Sequence, residues 1–295
     1  MKAIDSIKRA IDYIEEHLKE DIKIGEVASN SYLSVFYFQR LFHETTGYSI
    51  EKYIKFRRLA HSTELLLKDI PMKEVAINSG FKSPEHFSRV FKETYKMTPS
   101  EYKKEKFPLF HVYKPDVILQ NAKLSLGDRY IADNMVLEIK LCEKEEIKMI
   151  GLDIFCPFGI ETPGIDNPGI AWNRFHKMKH TILDKTCPTQ EFGISYNHGE
   201  KGFHYLASTA VNQIEDIPKD MISFILPKGL YACCIYENES FEDGTGQNLK
   251  SAMDYFFNWF NENNYRPANN YAIEYYHEEA LKKPHKIEMW VNIKR

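Results

Sequence analysis

The sequence predicts an all-α N-terminal domain with two helix-turn-helix units, followed by an α+β C-terminal domain of two strand-helix-strand-strand halves. Two observations place the helical part. Apolar residues recur at helical spacing from Ile4 to about Tyr102, and an eight-residue pattern repeats within that stretch at an offset of 49. A third places the other domain: from about Met135 the apolar pattern changes to the period of two that strands require. At 295 residues the chain suits two domains, each large enough for its own core. The expected division is 1–106 for the helical domain, 107–135 for a linker and 136–295 for the mixed domain.

Ile4, Ile7, Ile11, Ile14 and Leu18 keep one helical stripe, with Lys8, Arg9, Asp12, Glu15 and Glu16 outside it, so the first helix is scaffold. Ile24, Val27 and Ala28 belong to a short second helix. Ser34 is placed to cap the third, and Gly47 to end it in the left-handed conformation. A linking helix over residues 49–68 turns Leu59, Ser62, Leu65 and Leu66 inward. Pro71 opens the next helix, with Val75 and Ala76 inward and Gly80 at its end. Ser83 caps the following one, and Pro84 fits its first position, where no amide donor is needed. There Phe87, Val90 and Phe91 share an inner face, while Ser88, Arg89 and Lys92 point elsewhere. Thr98-Pro99-Ser100-Glu101 reads as a capping box that opens one more short helix. Beyond Lys103, Lys104 and Lys106 no long period holds, and Pro108 and Pro115 interrupt the linker.

The repeat is explicit. Phe38-Gln39-Arg40-Leu41-Phe42-His43-Glu44-Thr45 aligns with Phe87-Ser88-Arg89-Val90-Phe91-Lys92-Glu93-Thr94, and Val27-Ala28 answers Val75-Ala76 with one residue more in the second turn. Gly80 to Tyr102, GFKSPEHFSRVFKETYKMTPSEY, is the most specific stretch. A short helix buried along one side and carrying donors along the other reads as a helix-turn-helix recognition helix. Over residues 1–106 this arrangement closely resembles the AraC/XylS family of transcription regulators. One departure is Tyr32-Leu33 in the first turn, where that family usually has glycine. The resemblance implies that Phe36, Gln39 and Arg40 in the first recognition helix, and Glu85, Ser88 and Arg89 in the second, lie on the groove side of duplex DNA.

In the second half Val136–Leu141 and Met149–Phe155 read as strands, followed by a loop holding Pro157, Pro163-Gly164 and Pro168-Gly169. Ile170–Leu183 reads as a helix, then Phe192–Tyr196 and Phe203–Val211 as strands. The pattern recurs with strand Leu230–Tyr236, helix Leu249–Asn263, and strands Ala272–Tyr276 and Ile287–Ile293. Each half needs its helix to cover one sheet face. Pro227-Lys228-Gly229-Leu230-Tyr231, Trp259, Glu274-Tyr275-Tyr276 and the closing Lys286–Ile293 run resemble the GyrI-like effector-binding domain. Asn292 stands where that family commonly has proline. The resemblance implies a ligand cleft between the halves, with Glu274 facing a cation and Tyr276, Trp172, Trp259 and Trp290 as aromatic lining.

The net charge of −3 conceals an asymmetry. Residues 1–106 hold 19 basic and 16 acidic side chains, and the remainder 20 and 26. A basic helical domain joined to an acidic one fits a polyanion binder with an attached sensor. The five cysteines show neither CxxC nor disulfide-like spacing, and no apolar run reaches the length of a membrane span. These features predict a reduced, cytoplasmic protein away from the membrane, with vicinal Cys233-Cys234 as buried filler.

Arginine's fork reads the O6 and N7 edge of guanine, and glutamine pairs with adenine. An exposed helical arginine is usually only solvated, yet Arg40 and Arg89 occupy matching positions of a repeat, which favours contact. Lys55, Arg57 and Arg58 are expected either to reach phosphates or to form a solvated face. Glu85 has a second reading, because an acid near a helix N-terminus stabilises the dipole without DNA. Aromatic side chains around Glu274 suit an organic cation, or else a core rich in rings with the glutamate at its edge. His176 and His180 stand four apart without the partners of a metal set, and no nucleophile elbow, P-loop or dinucleotide fingerprint occurs. The partners implied are duplex DNA, a small-molecule effector and RNA polymerase, with no cofactor, for a regulator that acts as an activator and is not an enzyme. The alternative is a DNA-binding protein whose second domain is a protein-contact module or a hydrolase.

Overall fold

The computed structural model describes residues 3–132, 135–157, 163–278 and 282–294. They form two compact units. The first holds residues 3–121 with 163–166; the second holds the rest, from residue 122 onward.

The first unit is helical. Its elements are α1 (Ala3–Glu16), α2 (Ile24–Asn30), α3 (Val35–Thr46), α4 (Ile50–Leu66), α5 (Met72–Asn78), α6 (Pro84–Tyr95) and α7 (Pro99–Glu105), then β1 (Leu109–Phe110) and α8 (Val117–Gln120). The helix ends follow the local chemistry of the sequence. The hydroxyls of Ser34, Ser49 and Ser83 accept from the amides of Tyr37, Lys52 and His86, and Thr98 with Glu101 closes a full capping box. Gly47 ends α3 with φ 75°. One core joins Ile7, Ile11 and Ile14 of α1, Phe38 and Phe42 of α3, Leu59 and Leu66 of α4, and Phe87, Phe91 and Tyr95 of α6. The core does not stop at residue 106. Leu109, Val112 and Val117 are buried in it, and the Arg57 guanidinium donates to the Val112 carbonyl at 2.8 Å. The expected linker 107–135 is thus divided: residues 107–121 belong to the first unit, and from 122 the chain belongs to the second.

The second unit begins with β2 (Arg129–Ala132), β3 (Met135–Lys144) and β4 (Ile147–Pro157). Strand β5 (Gly164–Ile165) returns to the first unit, then α9 (Asn167–Met178) resumes the second, followed by β6 (Glu191–Tyr196), β7 (Gly202–Val211) and β8 (Ile222–Leu226). Last come β9 (Gly229–Asn238), α10 (Phe241–Thr245), α11 (Gln247–Glu262), β10 (Arg266–Pro267), β11 (Tyr271–Tyr276) and β12 (His285–Lys294). The stretch read as a loop at 157–169 therefore contains β5 and the first turn of α9, with Pro168 where a missing amide hydrogen is tolerated.

All ten strands of the second unit join one antiparallel sheet, in the order β2-β3-β9-β12-β11-β6-β7-β4-β8, with β10 paired to the end of β12. Two units, β4-α9-β6-β7 and β9-α11-β11-β12, meet at the central pair β6 and β11. The strand preceding each unit is exchanged. β3, which leads into β4, pairs with β9, whereas β8, which leads into β9, pairs with β4. The sequence placed the first of these strands within the first half and did not distinguish the second. Helix α9 packs on β4 and β7, and α11 on β9 and β3. The opposite sheet face carries its own core of Phe192, Leu206, Leu226, Tyr231, Cys233, Ile273 and Trp290. Cys233 and Cys234 are both fully buried.

Candidate functional site

The two repeats build matching helix-turn-helix units. In each, a seven-residue helix ends in a residue of positive φ before a serine-capped twelve-residue helix. At Gly80 φ is 80°; at the equivalent Tyr32 it is 57°, so the departure from glycine leaves the turn intact. The backbone bonds agree, since Leu33 N donates to Ala28 O at 3.1 Å and Phe81 N to Ala76 O at 2.9 Å. The Tyr32 ring lies beside Arg9, with the guanidinium carbon 5.3 Å from its centroid.

Along α3 and α6 the buried phenylalanines turn inward and the other face is open. Phe36 is 79 % exposed, Gln39 is exposed, and Ser88 is half-buried beside exposed Arg89. The two arginines are held alike. Arg40 Nε lies 3.7 Å from the Glu44 carboxylate, and an Arg89 terminal nitrogen 3.1 Å from that of Glu93. One turn of helix separates each pair, which steers the guanidinium along the axis with little net stabilisation at such exposure. The exposed Glu85 carboxyl is held below the usual range by its own backbone amide and the Ser83 hydroxyl, so it acts as a local cap whatever else it meets.

Of Lys55, Arg57 and Arg58 on the linking helix, Lys55 is exposed. The other two have partners within the first unit. Arg58 donates to the carbonyls of Leu18 at 2.7 Å and Glu20 at 2.6 Å, closing the chain that leaves α1. Arg57 grips Glu15 through both carboxylate oxygens at 2.8 Å. Helical periodicity alone could not reveal these partners, because they come from α1 and the chain after it, 38 to 42 residues away.

In the second unit Glu274 sits on β11, at the centre of the helix-covered sheet face. Its Oε2 accepts from the hydroxyls of Tyr205 and Tyr276, each at 2.8 Å. The Trp172 indole, on α9, donates to Tyr205 Oη at 3.0 Å, and its ring meets Tyr276 edge-on at 5.5 Å. Gly193 lies directly across from Glu274 on β6. A Cβ there would stand 2.1 Å from Tyr205 Oη and 3.0 Å from Glu274 Oε2, so only glycine leaves room for the cluster. Burial and then the nearby Glu274 carboxylate push the hydroxyls of Tyr276 and Tyr236 well above the ordinary tyrosine range, keeping both protonated. An acidic oxygen among phenols and an indole is suited to a flat or greasy cation.

Not every expected aromatic joins this cluster. Trp290 pairs with Ile273, one residue out of register with Glu274 and Met289, so its side chain is on the opposite sheet face. There it packs on Tyr275, and the Lys144 ammonium lies 3.7 Å from its ring centroid. Trp259 is fully buried on α11 and its indole donates to the Leu124 carbonyl, a core role. Tyr271 and Tyr275 likewise alternate away from Glu274. Sequence reasoning missed Tyr205, Gly193 and Tyr236; only the glycine in a strand interior was a signal, and it did not say what approaches.

Comparison with known proteins agrees with both halves. Residues 27–105 match a helix-turn-helix domain model, and residues 137–294, more than half of the chain, match the GyrI-like small molecule binding domain. Regulatory protein PocR of Salmonella typhimurium is 35 % identical over 100 residues, which are 34 % of this chain and 33 % of that protein. The similarity thus spans about a third of that protein's length. Regulatory protein SoxS of the same organism is 36 % identical over 98 residues, 33 % of this chain and 92 % of SoxS. An integron cassette protein from the mobile metagenome of Vibrio cholerae aligns in structure with a TM-score of 0.41 and 16 % identity, over 55 % of this chain and all of that one. The chain belongs to the AraC/XylS family of helix-turn-helix regulators, and its second unit to the GyrI-like small-molecule binding domains.

Proposed function

We propose that the protein is a transcription activator that binds duplex DNA through α3 and α6, recruits RNA polymerase, and responds to an organic cation bound at Glu274. The observation that carries the DNA half is the matched pair of capped helices, each presenting an exposed arginine anchored to a glutamate one turn on. Arg40 and Arg89 read guanine edges, Gln39 and Ser88 make adjoining polar contacts, Phe36 meets a thymine methyl, and Lys55 holds a phosphate. Glu85 stands at the same groove-facing end of α6. For the effector, Glu274 supplies the countercharge, with Tyr276, Tyr205 and Trp172 as the aromatic wall. Trp259 and Trp290 have no part in it.

The test combines selection of bound sequences from random duplexes with calorimetry against tetraphenylphosphonium. A selected duplex binds wild type more tightly than random DNA, and the cation changes that affinity. Glu274→Gln keeps DNA binding but weakens the cation ten- to a hundredfold or more, as loss of a poorly solvated charge pair does. Equal cation affinity in wild type and variant would defeat the charge-recognition part. Absence of any selected sequence would defeat the DNA part.

A further inference from the structure

Between β4 and α9 the chain leaves the second unit and returns to it. Gly164 and Ile165 form β5, which pairs antiparallel with Phe110 and Leu109 of β1. The Asp166 amide donates to the Pro108 carbonyl at 3.1 Å, and β5 packs beside α6. The Asp166 charge lies near the hydroxyl of half-buried Tyr113. The next residue, Asn167, begins α9, and five residues further on Trp172 donates to Tyr205 in the Glu274 cluster. Six residues therefore separate the last backbone bond made to the DNA-binding unit from the indole of the ligand cluster. Most of that span is helix, at ~1.5 Å per residue with little slack.

We infer that β5 is the link through which the Glu274 cluster controls α6. The inference rests on the proposed roles of those two sites. A two-residue strand pairing is marginal by itself, so it can exist made or broken, and such an element can be biased from both ends. When a ligand displaces the Trp172 indole from Tyr205, α9 shifts as a body, and its first turn draws on Asp166 and Ile165. Loosening of β5 from β1 then frees the side of α6 it packs against, and DNA affinity changes through that helix more than through α3. By reciprocity, DNA held by α6 favours one state of the Trp172–Tyr205–Glu274 chain and alters affinity for the ligand.

Hydrogen exchange on the full-length protein tests this without DNA or ligand. Tyr205→Phe removes the hydroxyl that joins Trp172 to Glu274, and Trp172→Phe removes only the indole donor. Either substitution is expected to speed exchange of the Leu109–Phe110 and α6 amides about threefold or more, while α3 changes less. A four-residue Gly-Ser insertion between Asp166 and Asn167 is expected to abolish that response, with the Tyr205→Phe chain otherwise folded. The inference is overturned if neither substitution alters β1 and α6, or if the response survives the insertion. Because no partner is added, such failure leaves the assignments of Arg89 and Glu274 standing, and their failure leaves this result readable.

Discussion

Two residues at equivalent points of the repeat show how one backbone conformation meets two surroundings. Gly80 and Tyr32 both turn the chain with positive φ, which costs an L side chain roughly 1–2 kcal/mol. At Gly80 a Cβ would also lie 2.3 Å from the Leu18 carbonyl oxygen and 2.7 Å from Arg58 Nε, the pair that secures the end of α1. At Tyr32 the side chain stands in solvent, 72 % exposed, with Arg9 over its ring. Gly80→Ala should therefore cost about 2–4 kcal/mol, from conformational strain plus loss of the Arg58 bonds. Tyr32→Gly should stay within about 1 kcal/mol of wild type. Relief of strain there is offset by glycine's entropy and the lost cation–π contact. Urea unfolding of the two variants decides it; a Gly80→Ala loss limited to about 1–2 kcal/mol would mean that conformation alone, without the Leu18–Arg58 approach, sets the need for glycine.

At the scale of elements, the segment after α7 brings a histidine into the helical core. His111 Nδ1 lies 2.9 Å from the hydroxyl of Tyr95, the last residue of α6, and Nε2 lies 3.5 Å from Thr63 of α4. Burial, and then the Arg57 charge, hold its pKa down to about 4 from an ordinary 6.5, so it is neutral in the folded protein. As pH falls below 6.5 the unfolded chain takes up a proton that the folded one refuses until about pH 4. Stability is thus undiminished above pH 6.5 and lost progressively between there and 4, on the order of 3 kcal/mol for this group. His111→Gln should flatten that limb in urea midpoints measured from pH 7.5 to 4.5; an unchanged slope would assign the acid sensitivity to other groups. Nothing in the sequence around His111 announced this role. The caps were legible because Ser34, Ser83 and Thr98 act on amides three residues away. Tyr276 was legible as a companion of Glu274, since strand alternation puts residues two apart on one face. The register that sends Trp290 to the other face, and the exchange of β3 and β8, were not. Both depend on pairings between residues far apart in sequence, and alternation within a strand says nothing about its neighbour.

At the scale of the whole molecule, the chain passes between its units at three points, and the first comes later than composition implied. The loss of helical period after Lys106 marks a change of secondary structure, not the end of the core: Leu109, Val112 and Val117 are 4–8 % exposed. Burying side chains of this size is worth about 1.5–3 kcal/mol each, as an upper estimate against an extended unfolded chain. Removing them also strips Arg57 of the Val112 carbonyl and leaves the Thr63 and Tyr95 hydroxyls without His111. A fragment of residues 1–106 is therefore expected to lose several kcal/mol relative to residues 1–121, a fall in Tm of roughly 10–20 °C for a domain of this size. The longer fragment lacks only β5 of the first unit, and should keep the helical circular dichroism of α1 to α8. Calorimetric melting of the two fragments side by side is the measurement. Coincident transitions would show that residues 107–121 merely tether the units; a large gap places the boundary at residue 121, where the buried side chains put it.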